Sequence, residues 1–197
     1  MIAKTFLSYS HELSRLLSII DVTTATCGKI SLDAGMECAI SVILANKTSG
    51  RKIIVIGNGG SAAIASHMQN DLCKAVGVRS IVFNEAPLLS ALSNDISYAN
   101  AFEVLVDLWV DEGDTLIAIS SSGRSENIIR AADRAKEKCC SVITFSGFKT
   151  DNPLRTRGTV NFYIPSEEYG FVELGHSILT HYLSDAAKDH INTSSEK

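Results

Sequence analysis

No cluster of lysine and arginine occurs anywhere in this chain, and its formal net charge is −4. A nucleic-acid-binding face therefore has no electrostatic support. No apolar run approaches the length of a membrane span, and the opening Met1-Ile2-Ala3-Lys4-Thr5-Phe6 lacks the apolar core of a secretion signal. The expectation is no membrane partner and a cytoplasmic location. The five cysteines, Cys27, Cys38, Cys73, Cys139 and Cys140, are an odd number without C-x-x-C spacing. That pattern argues against a disulfide framework and a zinc ribbon. Cys139 and Cys140 instead open an apolar segment, where reduced cysteine acts as a small hydrophobe. There are only three prolines, all near element boundaries, and no repeat, linker or low-complexity stretch.

What is present is apolar surface, 45 % of 197 residues, enough for one α/β domain with a buried core. Residues 1–50 read as N-terminal helices. Leu13, Leu16, Leu17 and Ile20 recur at helical spacing, as do Ile40, Ile43 and Leu44 before Lys47-Thr48-Ser49-Gly50. Having no strands of their own, these helices are expected to pack on the domain or on a second subunit. Residues 51–188 alternate strand and helix. Strands are expected over 53–56, 79–83, 115–119, 140–145 and 160–164. Helices are expected over 61–75, 87–109 with a break at 93–95, 124–138 and 170–188, with a helical turn near 152–154. This alternation predicts a five-stranded parallel sheet sandwiched by helices. The polar stretch 189–197 is expected to be a frayed tail.

Two serine- and glycine-rich loops each follow an apolar strand and open a helix. Gly57-Asn58-Gly59-Gly60-Ser61 follows Ile53-Ile54-Val55-Ile56, and Ser120-Ser121-Ser122-Gly123-Arg124-Ser125 follows Leu116-Ile117-Ala118-Ile119. Glycine allows close backbone approach, serine adds hydroxyl donors, and a helix N-terminus supplies N–H groups and the positive end of a dipole. Taken singly, either loop reads equally well as a turn with a helix cap. Together, flanking the point where strand order reverses, they would converge on one crevice. Neither has the lysine of a P-loop, and Gly57-Asn58-Gly59-Gly60 is not the dinucleotide fingerprint. A phosphorylated metabolite fits better than a nucleotide.

His67 and Asp71 stand four residues apart behind the first loop and share a helix face. Glu173, His176 and His181 lie on the last helix. Glu173 and His181 differ by roughly 80° around its axis and can point to a common side. His67, Asp71, Glu173 and His181 would then form a cluster suited to zinc or to acid–base work. A His–Asp pair at this spacing is also common surface decoration.

The segment from Gly57 to Ala63 with His67 and Asp71 beyond it resembles the sugar isomerase (SIS) family, specifically its phosphoheptose isomerase branch. Ser93-Asn94-Asp95, the run from Gly113 to Asn127, and the helix with Glu173, His176 and His181 match as well, so the resemblance spans essentially the whole chain. It implies a flavodoxin-like sheet, a homotetramer with active sites between subunits, and one zinc ion per subunit. It also implies conversion of sedoheptulose 7-phosphate to D-glycero-D-manno-heptose 7-phosphate through an enediol, a step toward lipopolysaccharide or capsule heptose. Carried over, Ser61, Ser120, Ser122 and Ser125 look like phosphate ligands, and Ser121 belongs with the substrate-binding residues. Asn58, Gly59 and Gly60 line the sugar phosphate, while Asn94, Asp95 and Glu173 contact substrate. His67, Asp71, Glu173 and His181 correspond to metal ligands, and Asp71, Glu173 and His181 to catalytic groups. Three positions depart from the family pattern: Asp71 replaces a glutamate, Glu173 a glutamine and Arg124 an asparagine. Asp71 is one methylene short, which sets its carboxylate back by about 1 Å and slows chemistry.

Three other readings remain open. One is a non-catalytic SIS scaffold of the kind that binds the replication initiator DnaA; retention of the serine loop and both histidines counts against it. Another is an isomerase of a different phosphosugar. The third is a phosphosugar-sensing module, which usually accompanies a DNA-binding domain.

Overall fold

The computed structural model describes residues 5–26 and 28–195. Cys27, residues 1–4 of the opening segment and residues 196–197 of the expected tail lie outside the described residues. Helix α1 (Phe6–Ser18) leads into a hairpin of β1 (Asp21–Thr24) and β2 (Lys29–Ile30), followed by α2 (Leu32–Ser49). Ser31 caps α2 by accepting the Ala34 N–H, and Gly50 ends it at φ 67°, a left-handed conformation that glycine adopts without strain.

The alternating part follows as β3 (Lys52–Gly57), α3 (Gly60–Asp71), β4 (Arg79–Val82), α4 (Ala86–Asp95), α5 (Ala101–Trp109), β5 (Thr115–Ser120), α6 (Glu126–Glu137), β6 (Ser141–Ser146), β7 (Val160–Tyr163) and α7 (Tyr169–Ser195). Helix α3 continues through one π-helical turn, Leu72–Val76, and a 3-10 turn spans Pro153–Thr156. The expected break in the helical region 87–109 falls slightly later, between Asp95 and Ala101.

All seven strands form one sheet in the order β2-β1-β7-β6-β5-β3-β4. The five expected strands pair in parallel, in the order of a flavodoxin-like doubly wound sheet. The sheet has seven strands rather than five because the β1–β2 hairpin adds antiparallel to β7. Val22-Thr23-Thr24 is β-branched and suits a strand, but it is too short for periodicity to separate from its helical neighbours.

Alternate residues of each strand serve opposite cores. Ile53, Val55, Ile117, Ile119, Ile143 and Phe145 face the core shared with α1, α2, α3 and α7. Ile54, Ile56, Leu116, Ala118 and Val142 face the core under α5 and α6. Each of the large residues, fully buried, contributes about 1.5–3 kcal/mol. Leu16 is buried, and Leu13 and Ile20 pack against the first core. Of the two expected uses of α1, packing on its own domain is the one seen for Leu16, with Leu13 and Ile20 partly buried beside it. The expected frayed tail is helical to Ser195, with Ile191 packed on the core. Its amphipathic continuation of α7 outweighs its polar composition. No helix among the described residues is long and apolar enough to cross a membrane.

His176 of α7 is fully buried. Its Nε2 lies 3.2 Å from the Ser146 carbonyl oxygen, so that nitrogen carries the proton and donates, while Nδ1 has no partner among the described residues. Desolvation lowers its pKa from 6.5 to about 4. The unfolded chain therefore takes up a proton below about pH 6.5 that the native state refuses, and stability falls as the pH drops from 6.5 toward 4. We expect a loss on the order of 3 kcal/mol across that window from this group. His176→Gln keeps a donor for Ser146 and should flatten that part of the profile, measured as urea midpoints at pH 7 and pH 5.

Candidate active site

β3 and β5 are neighbours in register, with Gly57 opposite Ile119. The chain leaves β3 toward β4 on one side and β5 toward β6 on the other, so this is the point where strand order reverses. The two serine- and glycine-rich loops therefore leave the sheet at one level, and their helices α3 and α6 cover opposite faces. Asn58 and Asn127 exchange side-chain hydrogen bonds of 2.9 and 3.0 Å between the loops.

A cleft of about 260 Å³ opens here. Its lining brings together Asn58, Gly59, Gly60, Ser61, Ser120, Ser121, Ser122, Ser125 and Glu173, with Ile119 and Tyr169. Neither Gly59 nor Ser125 makes a side-chain cap at the start of its helix. The Ser121 hydroxyl is buried without a partner among the described residues, an orphan that a ligand oxygen would satisfy. Ser120 Oγ lies 3.3 Å from Ser125 Oγ, and the Ser122 hydroxyl accepts the Arg124 N–H at 3.2 Å. Among the described residues, no lysine or arginine lines the cleft. An anion there is met by hydroxyls and helix N-termini, beside the single carboxylate of Glu173.

A second group sits where α3 packs beside α7. Asp71 Oδ2 lies 3.4 Å from His67 Nε2 and 3.5 Å from His181 Nδ1, and the two imidazole centroids are 4.6 Å apart. One ligand atom from each residue falls within 4.8 Å of the others, so the three could hold a metal ion. Two imidazoles and a carboxylate are donors that zinc accepts. The fourth expected member separates from them. Glu173 is eight residues before His181, about 12 Å along the helix, and its carboxylate lies against Gly60, where a Cβ would come within 2.6 Å of it. The four-residue cluster resolves into a three-residue group and a separate cleft carboxylate, because the helical rise outweighs a shared face.

Asn94 and Asp95 end α4, bonded to each other at 2.9 Å, and do not line the cleft. Three residues given no role from the sequence do matter here. Tyr169 lines the cleft at the start of α7, Asn127 bonds Asn58, and the Tyr98 hydroxyl donates to Asn58 Oδ1 at 2.6 Å. Asn127 lies inside the serine-loop segment, whereas nothing in the spacing of Tyr98 marks it.

The family model described as SIS domain matches residues 20–147. The phosphoheptose isomerase of Clostridium acetobutylicum is 32% identical over 157 residues, covering 76% of this chain and 79% of the relative. The chain belongs to the SIS-domain family, in its phosphoheptose isomerase branch. The phosphoheptose isomerase of Citrifermentans bemidjiense is 28% identical over 178 residues, covering 87% of this chain and 91% of the relative. The solved phosphoheptose isomerase of Neisseria gonorrhoeae superposes with a TM-score of 0.80 at 25% identity, covering 93% of this chain and 96% of that one. The second serine loop of this SIS-domain chain is held by packing that a single methyl group would upset.

Gly123 holds φ +61°, and a Cβ there would collide with the side chain of Asn152. Asn152 is 2% exposed and donates to the carbonyls of Gly147 and Lys149, each at 3.0 Å, so it cannot give way. We expect Gly123→Ala to cost about 3 kcal/mol through strain and overpacking, read as a lowered urea midpoint.

Proposed function

We propose that this chain is an aldose–ketose isomerase acting on sedoheptulose 7-phosphate and D-glycero-D-manno-heptose 7-phosphate. The observation that carries this reading is the convergence of both serine loops on one cleft, with the Asp71–His67–His181 group on the adjoining helices. Ser61, Ser120, Ser121, Ser122 and Ser125 bind the phosphate by hydroxyls and helix N-termini. Asn58, Gly59 and Gly60 flank the sugar. A carboxylate takes the proton from the carbon beside the carbonyl, and that bond's electron pair becomes the enediol double bond as the carbonyl oxygen gains a proton. Reprotonation at the former carbonyl carbon, as the hydroxyl on the first carbon gives up its proton and becomes the new carbonyl, completes the isomerisation without an oxidant or reductant. Asp71 is the base in this reading and His181 exchanges the oxygen's proton. His67, Asp71 and His181 would hold zinc, which supplies polarisation of the sugar oxygens when bound.

Assembly belongs to the same reading. Leu174, Ile178 and Tyr182 form an exposed stripe on α7, continuous with a groove lined by Leu17, Ile20, Leu32 and Met36. A second copy covering this face supports a homotetramer, and a neighbouring subunit would be the means of bringing Asn94 and Asp95 to a sugar. The product would feed a cytoplasmic route to surface-polysaccharide heptose.

Asp71→Asn should abolish turnover because an amide cannot accept the proton, while Asp71→Glu should preserve or raise it, both followed by direct assay of heptose phosphate. Full turnover in Asp71→Asn would move the base to Glu173. Absence of any phosphosugar turnover in the wild type would favour a scaffold instead. Ser122→Ala should raise KM several-fold with a smaller effect on kcat, as expected for loss of one hydrogen bond of about 1 kcal/mol. For the assembly, light scattering at micromolar concentration should give a mass four times that of the chain, and a monomer would contradict it.

A further inference from the structure

Three side chains from three separate segments meet at the edge of the cleft. Asn58 belongs to the loop after β3, Asn127 to the first turn of α6, and Tyr98 to the connection between α4 and α5. Asn127 is 3% exposed, and its Oδ1 accepts the backbone N–H of Ile128 at 3.0 Å. A backbone N–H can only donate, so this contact fixes which end of the Asn127 amide is oxygen. The same oxygen accepts Asn58 Nδ2 at 2.9 Å, and Asn127 Nδ2 donates back to Asn58 Oδ1 at 3.0 Å. The Tyr98 hydroxyl adds a second donor to Asn58 Oδ1 at 2.6 Å.

The orientation of Asn58 follows from this chain of contacts. Its carbonyl oxygen has both lone pairs engaged and one N–H is taken by Asn127. The other N–H makes no hydrogen bond among the described residues, and Asn58 lines the cleft. We infer that Asn127 and Tyr98 are positioning residues, which turn the Asn58 carbonyl away from a bound sugar phosphate and leave one amide N–H to donate to a substrate oxygen. The inference rests on the phosphosugar reading of the cleft. Without the two donors the amide is free to turn its carbonyl toward the ligand, where it would repel substrate oxygens instead of binding them. Tyr98 also ties the segment that follows Asn94 and Asp95 to the first loop.

The test uses the full-length protein with Tyr98→Phe, which removes only an exposed hydroxyl, and Asn127→Asp, which keeps the acceptor but loses the donor to Asn58. The side-chain amide signals of Asn58, identified by their disappearance in Asn58→Ser, should shift and exchange faster in both variants. Calorimetric affinity for sedoheptulose 7-phosphate should fall about 10-fold, with affinity for inorganic phosphate, held by the serines, unchanged. In the isomerase assay KM should rise by a similar factor with a smaller change in kcat. Wild-type amide signals and wild-type phosphosugar affinity in both variants would overturn the inference. Should the wild type neither bind nor turn over the phosphosugar, the functional reading fails. The Asn58 signals then decide the positioning role alone: unchanged in both variants they refute it, shifted they sustain it.

Discussion

The parallel pairing of β3 with β5, which sets Gly57 level with Ile119, governs everything at the site. Because the chain departs from these two strands in opposite directions, no third strand end stands between their loops, and the space above them stays open. A one-residue slip would invert the alternation that gives Ile53 and Val55 to one core and Ile54 and Ile56 to the other. Burial on both faces therefore fixes the register, and the register fixes the distance between the two serine loops. The Asn58–Asn127 exchange is the polar closure of that gap.

The charge arrangement is the complement of this geometry. Among the described residues the cleft lining holds no lysine or arginine, so what it offers an oxygen ligand is dipoles and hydroxyls, which bind by direction more than by charge. Glu173 brings a carboxylate to the N-terminal end of α3, where the helix dipole stabilises negative charge and only glycine at position 60 leaves room for it. Asp71 sits at the other end of the same helix, between two imidazoles. Glu173 and Asp71 thus place carboxylates at opposite ends of α3.

Burial also sorts the histidines of α7. His181 is half-exposed beside Asp71, whereas His176, five residues earlier, is closed off and held neutral by desolvation. One helix thus sets one imidazole beside Asp71 and spends another on the carbonyl of Ser146, at the end of β6.

By itself the sequence determined the five parallel strands, the helices between them and the two serine- and glycine-rich loops. Those features are local, because β-branched runs, glycine turns and helical spacing are dictated by neighbours in the chain. His67 and Asp71 were legible as a pair for the same reason. The β1–β2 hairpin was not, since four residues carry too little pattern and their pairing partner, β7, lies far along the chain. Only the tertiary structure decided that Glu173 parts from the histidine group, because helical rise combines with the way α7 lies along α3. It also decided that Leu16 belongs inside the domain rather than between subunits. Tyr98 and Asn127 acquire their place beside Asn58 in the same way, through contacts spanning 40 and 69 residues of chain that no local spacing encodes.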